Sequence, residues 1–354
     1  MKRGRVRIGW FESVRSAVAG AIVGVLLFFG ALAMLWLNEG RSNLAHLARQ
    51  SVVASPETID PALDHTLVSV THETRSDAPL GDPEFLQPDR YLSLERRVEM
   101  LAWFESCPSR RRRCEYRTRW TATPPSSAGF QEPREHHNPA MRVRANRYVV
   151  DGSIGVYRFR TAHATTPTGE LLALTPAMVR PEAPGTPTLR GTQMYLSERA
   201  NERPAVGDLR LSFAAVRVGE RSTFFAQQEG ARLEPSLQPA RMYRLLRGDR
   251  EHAIKYLARE HLVIGWVLRV LGFVLLWLSL NLALGPLNAM LDVFEPLGRA
   301  SRTLIALVTL PVAVVLSTAV IVLSALAHSP WWLVLGLFAL LGVLLLARGT
   351  QRAR

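Results

Sequence analysis

Residues 17–37 read AVAGAIVGVLLFFGALAMLWL, a run without a single charge. At ~1.5 Å rise per residue, such a helix crosses the roughly 30 Å hydrocarbon core of a bilayer. Two more uncharged runs lie near the other end, residues 303–327 (TLIALVTLPVAVVLSTAVIVLSALA) and 330–347 (PWWLVLGLFALLGVLLLA). A fourth, residues 262–284, is broken only by Arg269. Between the first run and this one lie residues 38–261, polar and long enough for a core of their own. The expected fold is a multi-pass α-helical membrane protein with a large strand-dominated α+β extramembrane domain between the first and second spans.

The first span has a competing reading as a cleaved signal peptide, because Ala31-Leu32-Ala33 behind a basic flank resembles a cleavage site. The apolar run continues through Met34-Leu35-Trp36-Leu37, longer than a usual signal core, and this favours an uncleaved anchor.

Bulk composition hides this layout. The 354 residues are 48% hydrophobic and 21% charged with a net charge of +13, values an ordinary soluble basic protein would share. Lys2 and Lys255 are the only lysines among the 43 basic residues, so the charge is nearly all arginine. Residues 1–16 carry Lys2, Arg3, Arg5, Arg7 and Arg15 against Glu12, and residues 348–354 carry three arginines and no acid. Residues 285–302 are neutral, and the third-to-fourth connection is a few residues around His328. The positive-inside rule then makes 1–16, 285–302 and 348–354 cytoplasmic and 38–261 periplasmic or lumenal. The large domain keeps only +5, which removes the motive for a nucleic-acid partner. Two cysteines exclude a disulfide-dense scaffold, and no repeat period supports a solenoid.

Within 38–261, strand-like alternation marks Thr66–Thr71, Arg97–Glu105, Glu115–Thr121, Arg147–Asp151, Ile154–Arg160 and Leu209–Val218. Asp151-Gly152 between two of these predicts a tight hairpin. Proline-rich stretches at 124–133 and 176–187 read as loops. Helical pieces are expected over Arg41–Gln50 and Asp249–His261, the latter running into the second span with Ile254 and Leu257 on one side, as an interfacial helix would.

Cys107 and Cys114 flank Pro108-Ser109 and the tetra-arginine run Arg110, Arg111, Arg112, Arg113 between two expected strands. A disulfide closing that hairpin is one reading in an oxidising compartment, with free thiols the alternative. A zinc site would need two further ligands nearby. The arginines read as a solvated loop or as a contact for anionic headgroups or an acidic partner. Glu132, Glu135, His136 and His137 gather acids and imidazoles, but Pro133 and Pro139 argue for a loop and the zincin spacing is missing. A structural or solvated cluster is expected there, with no metal and no cofactor. No G-x-S-x-G, phosphate-cradling glycine loop or Cys–His nucleophile pattern occurs. Inside the spans, Arg269 and Asn281 must snorkel, pair with another helix or line a transport path. Gly20-x-x-x-Gly24 suggests close helix packing. Asn38-Glu39-Gly40-Arg41 reads physically as a helix-exit turn.

Several strings carry a family resemblance. They are Asn38-Glu39-Gly40-Arg41, Ser51-Val52-Val53 with Ser55-Pro56, Gly81-Asp82-Pro83-Glu84-Phe85, and Arg96-Arg97-Val98-Glu99-Met100 with Trp103. Asn138-Pro139, Val206-Gly207-Asp208-Leu209-Arg210 and Arg247-Gly248-Asp249 through Asn281 complete the series. In this order, with the one-plus-three layout of spans, the chain resembles the transmembrane protein 43 (LUMA) family over nearly its whole length. The resemblance implies a self-associating membrane protein with a lumenal domain. In animals its members lie in the endoplasmic reticulum and inner nuclear membrane, beside emerin and lamins and in membrane organisation. It supplies no catalytic residues. The Cys107–Cys114 pair and the arginine bias depart from the animal pattern and point to a prokaryotic member in a bacterial inner membrane.

The function expected is a non-enzymatic integral membrane scaffold for membrane organisation and complex assembly. Its partners would be the lipid bilayer, further copies of itself and other membrane proteins. The rival readings are an extracytoplasmic hydrolase using Glu135, His136 and His137, and a lipid or envelope-stress sensor working through the second span.

Overall fold

A computed structural model describes residues 10–107, 114–185, 187–197, 204–238, 240–286 and 297–328, with side chains omitted for 10–17 and 297–304. The expected fourth span, the tetra-arginine run and most of the 285–302 loop lie outside the described residues.

The helices are α1 (Trp10–Glu39), α2 (Leu44–Gln50), α3 (Arg250–Ala283) and α4 (Leu297–His328). The strands are β1 (Val52–Val53), β2 (Leu67–Ser76), β3 (Leu80–Asp82), β4 (Leu86–Asp89), β5 (Tyr91–Ser106), β6 (Glu115–Thr121), β7 (Asn146–Val149) and β8 (Gly152–Ile154). They continue with β9 (Tyr157–Phe159), β10 (Glu170–Leu171), β11 (Thr188–Arg190), β12 (Gln193–Leu196), β13 (Leu209–Arg217), β14 (Arg221–Glu229), β15 (Arg232–Glu234) and β16 (Arg244–Arg247). The chain divides into two compact units, one of residues 44–257 and one formed by 1–43 with 258–354. Among the described residues, three helical segments are long and apolar enough to cross a membrane, Val18–Gln50, Arg250–Ala283 and Ile305–His328.

The strand-rich unit holds two seven-stranded sheets and a two-stranded β3–β4 sheet. In the first, β2 pairs β8, β8 pairs β9, β9 pairs β15, β15 pairs β14, and β14 returns to β2, closing a five-stranded barrel. Closure removes the free edges that an open sheet would expose. Alternate residues point inward: Val68 and Val70 from β2, Phe224 and Ala226 from β14, with Tyr157 and Phe159 from β9. The Phe224 ring meets Phe159 at 4.7 Å and Tyr243 at 5.0 Å, filling the interior.

The second sheet runs β11-β12-β13-β5-β6, with β7 beside β5 and β10 beside β13. Its spine is β5, sixteen residues long, which pairs β13 over its first part and β6 over its last. Leu94, Val98, Met100 and Ala102 from β5 pack with Leu209, Leu211, Phe213 and Ala215 from β13 in one core. Leu92 and Val216, from the same two strands, belong to the barrel core instead. Both faces of the β5–β13 ladder are therefore covered near Leu92, and Ser93 beside it is buried as well.

Two expectations are corrected. Asp151-Gly152 is not a hairpin turn: β7 pairs β5 while β8 pairs β2, so this dipeptide carries the chain from one sheet to the other. Glycine is needed at 152 because a Cβ there would lie 2.6 Å from the Arg75 carbonyl oxygen and from Leu92 Cδ2. The turn falls later, at Gly155 (φ +58°), and divides the stretch read as one strand, Ile154–Arg160, into β8 and β9. The helix expected from Arg41 begins at Leu44, since Arg41 lies in the connection after α1. Arg250 caps this α2 helix at its other end, donating from Nη2 to the carbonyls of Ala48, Arg49 and Ser51 at 3.0–3.1 Å. Those carbonyls would otherwise lack helical partners.

Candidate functional site

In the helical unit the polar residues converge where α1 ends. On α3, His261, Gly265 and Arg269 recur every four residues and so share one face. Each meets one residue of the α1 exit. Arg41 donates to the His261 carbonyl at 2.7 Å, Asn38 donates to the Gly265 carbonyl at 3.3 Å, and Arg269 grips both carboxylate oxygens of Glu39 at 2.7 Å. The Glu39 side chain is 9% exposed, so its charge depends on this partner. The Arg269 guanidinium also lies over the Trp266 ring, 5.2 Å from its centroid.

The α4 helix closes the same turn. Ser324 donates to the Trp36 carbonyl at 2.8 Å, and His328 meets the Trp36 ring edge-on at 5.7 Å. A Cβ on Gly40 would stand 2.6 Å from His328 Nε2, so glycine leaves room for that ring. Deeper in the bundle, Asn281 donates to Thr309 Oγ1 at 3.1 Å and Trp277 Nε1 donates to the Ala306 carbonyl at 3.3 Å. Arg269 and Asn281 thus both make helix–helix contacts, one of the readings open from sequence. The glycine pair behaves unequally: a Cβ on Gly24 would strike the backbone of Ser279 and Ala283, whereas Gly20 has nothing within 4 Å. His261, Gly265, Ser324 and His328 escaped the sequence reading, although the four-residue spacing from His261 to Arg269 was visible there.

In the strand-rich unit the motif residues contact one another along β5. Arg96 Nη1 donates to both oxygens of the fully buried Asp82 at 3.0 and 3.1 Å, joining two of the strings noted from sequence. Asp82 Oδ1 also accepts the backbone N–H groups of Glu84 and Phe85. Glu99 accepts from Arg210 Nε at 2.6 Å, and Leu101 exchanges backbone hydrogen bonds with Gly207 and Asp208. Asn138 brackets Trp103, accepting its N–H at 2.7 Å and donating to its carbonyl at 3.0 Å. Gly207, at φ +97°, faces Pro139, where a Cβ would come within 2.9 Å of Cγ. Arg97 forks onto Glu95 and, through that hydrogen bond, holds the Glu95 carboxyl below its usual range. Val98 and Met100 are core residues.

Cys107 and Cys114 form a disulfide just beyond the last β5–β6 pair, Ser106 with Glu115. Beneath it, His136 stacks on Tyr116 with ring centroids 3.5 Å apart and meets Trp103 edge-on at 4.7 Å. His137 turns away to Ser127 Oγ, 3.3 Å distant, so the two adjacent histidines do not share a site. Glu135 stays near His136 and Glu132.

These contacts occur in a chain with clear relatives. The family model described as "Transmembrane protein 43" matches residues 100–330. Human transmembrane protein 43 is 25% identical over 315 residues, covering 81% of this chain and 78% of its own, and the rat protein is 24% identical over 316 residues with the same coverage. A Drosophila melanogaster homolog is 26% identical over 245 residues, 63% of this chain and 64% of its own. No solved structure matches the chain. With the family model covering well over half of its residues, this membrane protein belongs to the transmembrane protein 43 family.

Proposed function

We propose that the protein is a non-enzymatic, self-associating membrane scaffold that organises membrane and assembles membrane-protein complexes. The observation that carries this reading is the ladder of contacts between the α1 exit and α3. Asn38, Glu39, Arg41 and Arg269 each hydrogen-bond across the α1 exit–α3 contact, as structural locks do, and leave a defined bundle on which partners can dock. Apolar faces on the helices contact lipid.

The proposal includes a topology. Both termini are cytoplasmic, residues 38–261 lie in the periplasm or a lumen, and residues 330–347 form a fourth span. The basic flanks at 1–16 and 348–354 support this orientation, since arginine-rich flanks stay on the cytoplasmic side. The disulfide supports an oxidising compartment for residues 38–261. The arginine-dominated composition supports placement in a bacterial inner membrane.

Crosslinking in intact membranes, followed by identification of the products, tests the scaffold. A ladder of oligomers or a fixed membrane-protein partner is expected, and a strictly monomeric, partnerless protein would overturn it. Reporter fusions at residues 130 and 296 should report opposite sides, with 130 outside the cytoplasm.

A further inference from the structure

The loop after β6 holds a cluster that the scaffold reading does not use. Glu132, Glu135 and His136 bring one imidazole nitrogen and two carboxylates to within 4.8 Å of one another. The backbone arranges this: the His136 N–H donates to the Glu132 carbonyl at 3.1 Å, a single helical turn that sets residues i and i+4 side by side. The turn is itself anchored. Glu132 N–H donates to the Tyr116 hydroxyl at 3.0 Å, and Gln131 N–H donates to Glu105 Oε1 at 2.6 Å. Asn138 fixes the exit through its bonds to Trp103.

The imidazole is held as a ligand would be. Tyr116 covers one face, Trp103 abuts it edge-on, and the His136 side chain is 16% exposed. Its Nδ1 is buried and makes no hydrogen bond, an arrangement that native structures rarely leave without a purpose. Glu132 Oε2 lies 3.8 Å from it. That is too long for a hydrogen bond. It is close to the edge of a coordination tetrahedron, where two ligands about 2.0–2.1 Å from a zinc ion stand roughly 3.4 Å apart. A small rotation of the exposed Glu132 side chain closes the difference.

We propose that Glu132, Glu135 and His136 bind a divalent transition-metal cation of the zinc class. One nitrogen and two carboxylate oxygens suit this borderline ion. Three protein ligands leave a coordination position for water or for a side chain of a partner. Both cysteines of the chain are locked in the disulfide and offer no competing thiolate. Bound metal would crosslink the 132–136 turn on itself, a turn that Tyr116 already holds against β6.

The test is calorimetric titration of zinc chloride into the full-length, chelator-stripped protein in detergent, with the disulfide intact. The wild type should show a saturable site at one ion per chain. Glu132→Gln with Glu135→Gln, which keeps the packed imidazole and both side-chain shapes, should lose that site or weaken it at least tenfold. His137→Ala should retain it. Absence of a saturable one-to-one site in the wild type would overturn the proposal, as would unchanged affinity and stoichiometry in the double variant.

Discussion

Arg269 and Glu39, 230 residues apart in the chain, form a two-point ion pair with both nitrogen–oxygen distances at 2.7 Å. The pair joins α3 to the last turn of α1. Removing one partner strands the other charge where water is scarce. Glu39→Gln and Arg269→Leu should each destabilise the bundle by about 1–3 kcal/mol, the lower end reflecting the partial exposure of Arg269. The double variant should lose less than the sum of the two. Thermal unfolding in detergent, arranged as a double-mutant cycle, measures this coupling, and strict additivity would remove the pair from the bundle's energetics.

Gly24 and Gly20 lie one turn apart on α1 and predict opposite outcomes. An alanine methyl at Gly24 would meet Ala283 N at 2.6 Å and the Ser279 carbonyl oxygen at 2.8 Å, backbone atoms that cannot turn aside. Gly24→Ala should therefore force α1 from α3 and cost about 1–3 kcal/mol. Gly20→Ala meets nothing and should stay within about 1 kcal/mol of wild type. Melting midpoints of the two variants, compared in one detergent, decide the matter.

Arg96 and Asp82 are 6% and 0% exposed at their side chains, so their pairing is a true interior contact. Arg96→Met leaves the Asp82 carboxylate with only two backbone N–H donors and should cost about 3–5 kcal/mol. Arg96→Lys keeps the charge but loses the Nε bond to the Arg144 carbonyl, and should fall between wild type and Arg96→Met. Urea unfolding followed by circular dichroism of the strand signal tests the ranking. Equal stability of Arg96→Met and wild type would contradict it.

The sequence shows its membrane-compatible helices openly because apolar runs need no tertiary context: α1, α3 and α4 each contain one of the charge-free or nearly charge-free stretches. The long strands β5, β6 and β13 were visible too, since each runs for at least seven residues. Barrel closure was not, because it depends on β8, β9 and β15, each three residues long, and on a return pairing of β14 to β2. Such short strands carry no period of their own. Asp151-Gly152 misled for a related reason: a glycine required by the nearby Arg75 backbone has the same letters as one required by a turn. Of the candidate site, Glu39 and Arg269 stood out as charges beside or within apolar runs. Their pairing spans 230 residues and no local pattern announces it. His261 and Ser324 use a backbone carbonyl and a hydroxyl, groups whose partners composition does not reveal.

Burial sets an alkaline limit on the strand-rich unit. Tyr91 and Tyr243 are almost wholly buried, and burial pushes both phenols from about 10 up to about 12. A folded-state value above the unfolded one means that the unfolded chain gives up its proton first as pH rises. Stability contributed by these phenols is full below about pH 10 and is lost progressively between there and about pH 12. The tyrosinate absorbance of Tyr91 and Tyr243 should therefore appear only as the unit unfolds. Tyr243→Phe should flatten part of the alkaline loss. It should also cost about 1 kcal/mol at neutral pH, because the Arg160 N–H that donates to the Tyr243 hydroxyl at 2.9 Å would lose its acceptor. Urea midpoints across this range measure both effects, and an unchanged alkaline slope in Tyr243→Phe would refute the assignment to that phenol.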